Sequence, residues 1–275
     1  MIGIEIILFL VMLVLIWKIG NYLIDDIKSR NYTRNLEQAV MIAEEKTESE
    51  GTSREQEAKE AEEQELEEAG EQEVEIPAAI DFDSLHEISQ DAVAWLYCPD
   101  TEINDAIAQA DDNNYYLKRL LNGTHANCGT LFVDYRNSPD FSDEITLIYG
   151  HNMKNGSMFA SLMDYQNPGY YEEHPVMYLF TPEKRYQLEL IAGYTTDTND
   201  ILYEVPATVA DRESVLSHAE KVSSFISGVT AAPEDRLVIL STCSYAYDDA
   251  RYVVIGRLIE ESVTMDKENY PDDGQ

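Results

Sequence analysis

Two apolar runs of this chain end in groups suited to acyl-transfer chemistry. Thr146-Leu-Ile-Tyr-Gly-His151 closes on an imidazole, and Leu237-Val-Ile-Leu-Ser-Thr-Cys243 closes on a thiol. The end of a strand is where a rigid scaffold commonly presents a reactive group. Arg251 follows Cys243 by eight residues and opens the next run, Tyr252 to Ile259. If these last two runs pair across the Ser244 to Ala250 connection, guanidinium and thiol lie at one end of a sheet. Only the thiolate is a good nucleophile, and an unperturbed cysteine is roughly 3% ionised at pH 7, so a neighbouring His⁺ or Arg raises the reactive fraction. Imidazole can protonate a leaving amine, while the fixed fork of an Arg suits a substrate carbonyl or an oxyanion. By residue type alone a plainer reading competes: a single strand cysteine is more often a small buried apolar group, and a lone histidine a satisfied polar one.

The elements that must hold these groups are mostly strands. Runs at Thr130–Tyr135, Glu144–Tyr149, Val176–Phe180, Tyr186–Ala192, Leu237–Thr242 and Tyr252–Ile259 are short, β-branched or aromatic, and separated by Asn, Gly, Asp and Pro. They predict a mostly antiparallel barrel or sandwich. A short helix is expected over Phe82 to Trp95, where Leu85, Ile88, Val93 and Trp95 roughly share a face. A second is expected as an insert at Asp211 to Ile226, on Val215, His218, Ala219, Val222, Phe225 and Ile226, with Pro233 after its exit.

The text around the three reactive groups is similar to that of the sortases, cysteine transpeptidases whose cysteine strand ends in Thr-x-Thr-Cys or Ser-Thr-Cys and is followed by Arg. The likeness extends to Trp95-Leu-Tyr-Cys-Pro-Asp, Ile103-Asn, Asn114-Tyr-Tyr-Leu117, Gly129-Thr-Leu-Phe-Val-Asp-Tyr-Arg136 and Gly156-Ser-Met-Phe159, which in order and spacing resemble class B sortases. It covers roughly Phe82 to Ile259 and includes the helical insert before the cysteine strand. The resemblance implies a closed sortase-like β-barrel with an N-terminal helix, preceded by a transmembrane helix. It implies His151 as acid and base, Cys243 as nucleophile, and Arg251 as the residue that positions substrate or holds the oxyanion. Tyr149 and Ser241 match positions that contact the sorting peptide. The implied reaction cleaves an exported protein's C-terminal sorting motif after Thr through a thioacyl enzyme, then joins it to an amine of a peptidoglycan precursor or a pilin. It needs no metal and no organic cofactor. Some class B members carry an acid just after the cysteine; here Ser244 and Tyr245 stand there, and Asp248-Asp249 come later. A peptidase that uses water in place of the amine is the alternative enzyme, although papain-like order, with Cys before His, is reversed here. A catalytically silent, membrane-tethered binding module is the alternative outside catalysis.

The rest of the chain bounds these readings. Of 275 residues, 53 are acidic and 19 basic, a formal charge of −34, and no basic cluster exists to replace the counterions of nucleic acid. Residues 1–24 hold the run Ile2 to Trp17, IGIEIILFLVMLVLIW, broken only by Glu5 and closed by Lys18. With no basic n-region and no A-x-A-like site, it reads as an uncleaved membrane anchor. Lys18, Lys28, Arg30 and Arg34 all follow it, which by the positive-inside rule argues for a cytoplasmic domain, against the extracellular placement that the resemblance implies. Residues 25–76 are expected to be a charged spacer, since Glu44 to Ile76 holds 15 acids, 3 bases and almost no apolar positions at core spacing. Residues 77–275 are expected to form the sortase-like catalytic domain that the resemblance implies. Three cysteines are too few for a disulfide framework; Cys98 and Cys128 could pair or remain free thiols. His86, His125, His174 and His218 show no zinc-type spacing.

Overall fold

The structure is a computed structural model that describes residues 2–42 and 76–261. Strands β1 (Met41–Ile42) and β2 (Ala79–Ile80) pair with each other, antiparallel. The next eight strands are β3 (Ala92–Tyr97), β4 (Asn104–Ala108), β5 (Leu131–Val133), β6 (Ile145–Tyr149), β7 (Val176–Phe180), β8 (Arg185–Thr196), β9 (Leu237–Cys243) and β10 (Arg251–Glu260). They close into a barrel in the order β10-β8-β7-β3-β4-β5-β6-β9. Pairing is antiparallel except for β4 with β5 and β6 with β9, which are parallel. Closure leaves the barrel with no open sheet edge to protect.

The central strands are apolar on both faces because both faces are buried. Ile148, Val238, Leu240, Tyr252 and Val254 fill the barrel interior. Their neighbours Leu147, Leu237, Ile239, Val253 and Ile255 face outward, under helix α3 (Val209–Val222), which packs on them through Val215 and Ala219. The insert begins two residues before the expected Asp211, because Thr208 and Asp211 form a reciprocal capping box. It ends at Val222, not Ile226: Ile226 is 93% exposed, while Phe225 stacks on Tyr171 beyond the helix. Arg212, 1% exposed, pins the insert by donating to the carbonyls of Ala232, Pro233 and Asp235 at 2.6–3.0 Å.

Two expectations need correction, and one strand was not expected. The helix expected over Phe82 to Trp95 is α2 (Phe82–Ile88), with Asp81 as N-cap, and Ala92 onward is strand. Trp95 is fully buried in β3, its indole donating to Asn104 Oδ1 at 2.8 Å. Pairing to β4 and β7 on both sides overrides the local helical spacing. Strand β4, Asn-Asp-Ala-Ile-Ala, carries little strand propensity and is held by its two neighbours. Finally, a single helix, α1 (Ile2–Val40), runs through the start of the expected spacer. Leu36 and Val40 are buried against Ile80, Phe82 and Leu85, so residues 25–42 belong to the folded body. The acidic remainder at 43–75 lies outside the described residues, and so do the side chains of residues 2–8 in the apolar run. Among the described residues no helix is long and apolar enough to cross a membrane.

A cleft of about 200 Å³ between α1 and the barrel is lined by Glu37, Glu102 and Asp105. Burial, and then the charges of Glu37 and Glu102, push the Asp105 carboxyl up to about 8. An unfolded Asp titrates near ~4. Below that pH both states hold the proton and Asp105 carries no penalty; between about 4 and 8 the unfolded chain loses a proton that the native state keeps, so stability falls as pH rises. Asp105→Asn, neutral throughout, is expected to raise Tm by several degrees at pH 8.5 and to change it by less than about 1 °C at pH 4. Calorimetry at the two pH values checks this; equal shifts at both would place the effect in packing instead of charge.

Candidate functional site

Parallel pairing of β6 and β9 sets Tyr149 opposite Ser241, so the residues two further on, His151 and Cys243, leave the two strands at the same level. Extra bonds extend the register past the strand ends. Gly150 N–H donates to Ser241 O (3.1 Å), Thr242 Oγ1 to Gly150 O (2.8 Å), and Asn152 Nδ2 to Cys243 O (3.0 Å). On the other side of β9, Arg251 is the antiparallel partner of Cys243. Adjacent strands lie about 4.8 Å apart, so the thiol stands between imidazole and guanidinium on three neighbouring strands. All three project from the outward face, the continuation of the surface that α3 covers nearer the strand starts. Beyond the helix this face opens into a cavity of about 450 Å³, lined by Tyr149, His151, Ser241, Cys243 and Arg251 among others. All five residues singled out in the sequence therefore meet in one cavity.

Gly150 makes the approach possible, because a Cβ there would sit 2.5 Å from Leu131 Cδ2 and 2.6 Å from the Phe159 ring. His151 is oriented by its Nε2, 2.7 Å from Leu117 O. A carbonyl only accepts, so Nε2 carries the hydrogen and Nδ1 is the basic nitrogen of the neutral ring. Arg251 is held by donation from Nη1 to the carbonyls of Asp249 (3.1 Å) and Ala250 (3.0 Å). Cys243 is partly exposed, whereas Cys98 and Cys128 are buried free thiols, so the possible pairing between them is not made. Burial raises both of those thiols, Cys98 to about 11. Among the described residues no group of three or more His, Cys, Asp or Glu could hold a metal ion.

One wall of the cavity is a network whose roles sequence reasoning missed. Asp134, fully buried, accepts two side-chain bonds from Arg136 (2.9 Å each), one from Asn113 (2.9 Å) and one from the Tyr149 hydroxyl (3.0 Å). Burial alone would raise the Asp134 carboxyl, but these donors hold it below its usual range, and it stays ionised. Burial and that carboxylate together push the Tyr149 phenol up. Tyr203 stacks on Tyr149 (6.4 Å between centroids, 7° between planes) and shares a 2.8 Å hydrogen bond with Ser241 Oγ. Burial lifts its phenol to about 12, so both tyrosines present neutral hydroxyls. Asn113, Thr198 and Tyr203 reach this wall from loops and a single helical turn, where no periodic pattern marks them. Asp134 and Arg136 sit within Gly129–Arg136, a stretch that the resemblance covers, so a signal was present without a role attached.

Comparison with known proteins places this geometry in context. The sequence model for the sortase domain matches residues 96–259. Sortase B of Listeria monocytogenes is 39% identical over 180 residues, 64% of this chain and 72% of that protein. A Staphylococcus aureus sortase B–substrate complex superposes with a TM-score of 0.62 at 30% identity, covering 66% of this chain and 86% of that one. A sortase B complexed with Gly3 superposes equally well, at 0.62 and 30% identity over the same shares.

Proposed function

The chain belongs to the sortase family of cysteine transpeptidases, and we propose that it is a membrane-anchored, class B-type member that cleaves a sorting motif after Thr and transfers the acyl group to a cell-wall or pilin amine. The observation that carries the reading is the level arrangement of His151, Cys243 and Arg251 across β6, β9 and β10 in one cavity. The Cys243 thiolate attacks the Thr carbonyl carbon, and the charge that develops on its oxygen falls to Arg251. The S–C bond forms as the scissile C–N bond breaks, with His151 donating its proton to the departing amine. The same imidazole then takes a proton from the incoming amine, which attacks the thioester and releases Cys243. Neutral phenols of Tyr149 and Tyr203 and the Ser241 hydroxyl offer the peptide an apolar wall with hydrogen-bonding tips.

The substrate and Gly3 complexes of the related sortases B support two classes of ligand, a sorting peptide and a glycine-type amine. A peptide-library cleavage screen, with mass spectrometry of the trapped acyl-enzyme, tests the reading. It is expected to show a Thr-terminated acyl group on Cys243 that moves to added triglycine. Release to water at the same rate with and without amine would make the protein a hydrolase.

The apolar run Ile2 to Trp17 supports anchoring, and it is followed within the same helix by the barrel-packed residues of α1. The basic residues after the run favour the opposite orientation, but long domains translocate largely regardless of charge, and the substrates of the reaction are exported. Protease added to intact protoplasts is therefore expected to cut within Glu44 to Ile76, an acidic sequence with almost no apolar residues at core spacing. Protection of the whole domain until lysis would reverse the orientation and separate the enzyme from its substrates.

A further inference from the structure

We infer that the helix leaving the membrane anchor also positions the imidazole of His151, through Asp25 and Asp26 as positioning residues; the inference rests on the transpeptidase reading above. His151 is held from two directions. Its Nε2 meets Leu117 O, and its backbone carbonyl accepts from Phe159 N–H at 3.0 Å, closing the 152–158 loop, which is also tied by the bridge of Asn152 with Met158. Helix α1 grips both supports. Asp26 Oδ1 accepts from Asn155 Nδ2, and Asn155 Oδ1 in turn accepts from Ser157 N–H (3.1 Å) and Oγ (2.7 Å), so the carboxylate braces the loop that follows His151. The other Asp26 oxygen takes Arg30 Nη2 at 2.6 Å, which fixes its rotamer.

Asp25 reaches the other support. Its Oδ2 accepts from the backbone N–H (3.1 Å) and side-chain amide (2.6 Å) of Asn127. Two residues on, Gly129 lies flat against the segment that carries Leu117. Its φ is +66°, and a Cβ there would stand 2.4 Å from Tyr116 O and 2.8 Å from Leu117 O. Thr130 N–H donates to Tyr116 O at 3.1 Å. A shift of Asn127 is thereby passed to the carbonyl that orients the imidazole. Successive helix residues point about 100° apart, so neighbouring carboxylates can hold two different segments. Charged acceptors also make the stronger hydrogen bonds. The consequence is functional: a domain whose α1 is seated has its acid and base aimed, and one whose α1 is displaced keeps its barrel and turns over more slowly.

The test uses the full chain in detergent micelles or nanodiscs, comparing wild type with D25A/D26A and with D25N/D26N, which retains a side-chain carbonyl acceptor at each position. D25A/D26A is expected to lower kcat about five- to twentyfold, with KM within about twofold, because a small misplacement of a reacting group costs rate and not ground-state binding. D25N/D26N is expected to recover most of the rate. Amide exchange at Ser157 and Phe159 should quicken about tenfold in the alanine pair, while the Tm of the barrel stays within a few degrees. Unchanged kcat with unchanged exchange overturns the inference, and so does a rate loss matched by a rise in KM or a fall in Tm. If wild type itself shows no turnover, the transpeptidase reading fails, and the exchange measurement still decides whether α1 braces the His151 loop.

Discussion

Cys243→Ala is expected to abolish both cleavage and transfer, by about four orders of magnitude or more, because no other group can form the thioester. Cys98 is fully buried and Cys128 nearly so, and burial holds both thiols protonated near neutrality. Neither faces the cavity that holds Cys243. The fold should survive the change. Cys243 is tied to its surroundings through its backbone, by pairing to Arg251 and by the bond from Asn152 to its carbonyl, and loss of a partly exposed sulfur leaves little cavity. A cost within about 1 kcal/mol and a Tm within about 4 °C of wild type are expected. Peptide turnover, calorimetry and labelling with a methanethiosulfonate at pH 7 check the set: one adduct on wild type, none on the variant. Product from Cys243→Ala at the wild-type rate would remove the nucleophile from the mechanism.

Arg251→Lys is expected to lower kcat/KM about a hundredfold although the charge is kept. In wild type, Nη1 is taken up by the carbonyls of Asp249 and Ala250, which aim the guanidinium plane and leave Nε and Nη2 as the donors for substrate oxygen. A lysine ammonium can satisfy those carbonyls or the substrate, but a single nitrogen cannot occupy both places. The loss should fall mainly on kcat if the bond strengthens as charge develops on the oxygen, and on KM if Arg251 only seats the peptide. Activity within about threefold of wild type, a difference below about 1 kcal/mol, would show that Arg251 supplies no more than diffuse positive charge.

The parts of the site legible in the sequence are those whose signal is local. His151, Cys243 and Arg251 stand at the ends of apolar runs, and Tyr149 and Ser241 are their neighbours within two positions. Six of the barrel strands could be read because β-branched and aromatic runs are bounded by turn residues. Strands β3 and β4 could not: Ala92–Tyr97 follows a helical spacing without a Gly or Pro to stop it, and in Asn104–Ala108 only Ile107 is a good strand former. Both exist because neighbours on either side supply their hydrogen bonds. Tyr203 and Thr198 join the cavity from a connection far along the chain from Tyr149, and nothing in their own stretches marks them.

By itself the sequence determined the chemistry available: a thiol at the end of an apolar run, an imidazole after a glycine, a guanidinium eight residues downstream of the thiol, an apolar N-terminal run and a strongly acidic stretch. Composition and short-range periodicity suffice for these, since each depends on a residue and its near neighbours. Tertiary structure decided that β6 and β9 run parallel in a register that levels His151 with Cys243, and that Asp134 gathers Arg136, Asn113 and Tyr149 into one wall. It also decided that α1 continues past the apolar run onto the barrel. The physical reason is separation along the chain. Cys243 lies 92 positions after His151, and a pairing over such a distance is selected by closure of the whole barrel and burial of both strand faces, energies that no short window of sequence contains.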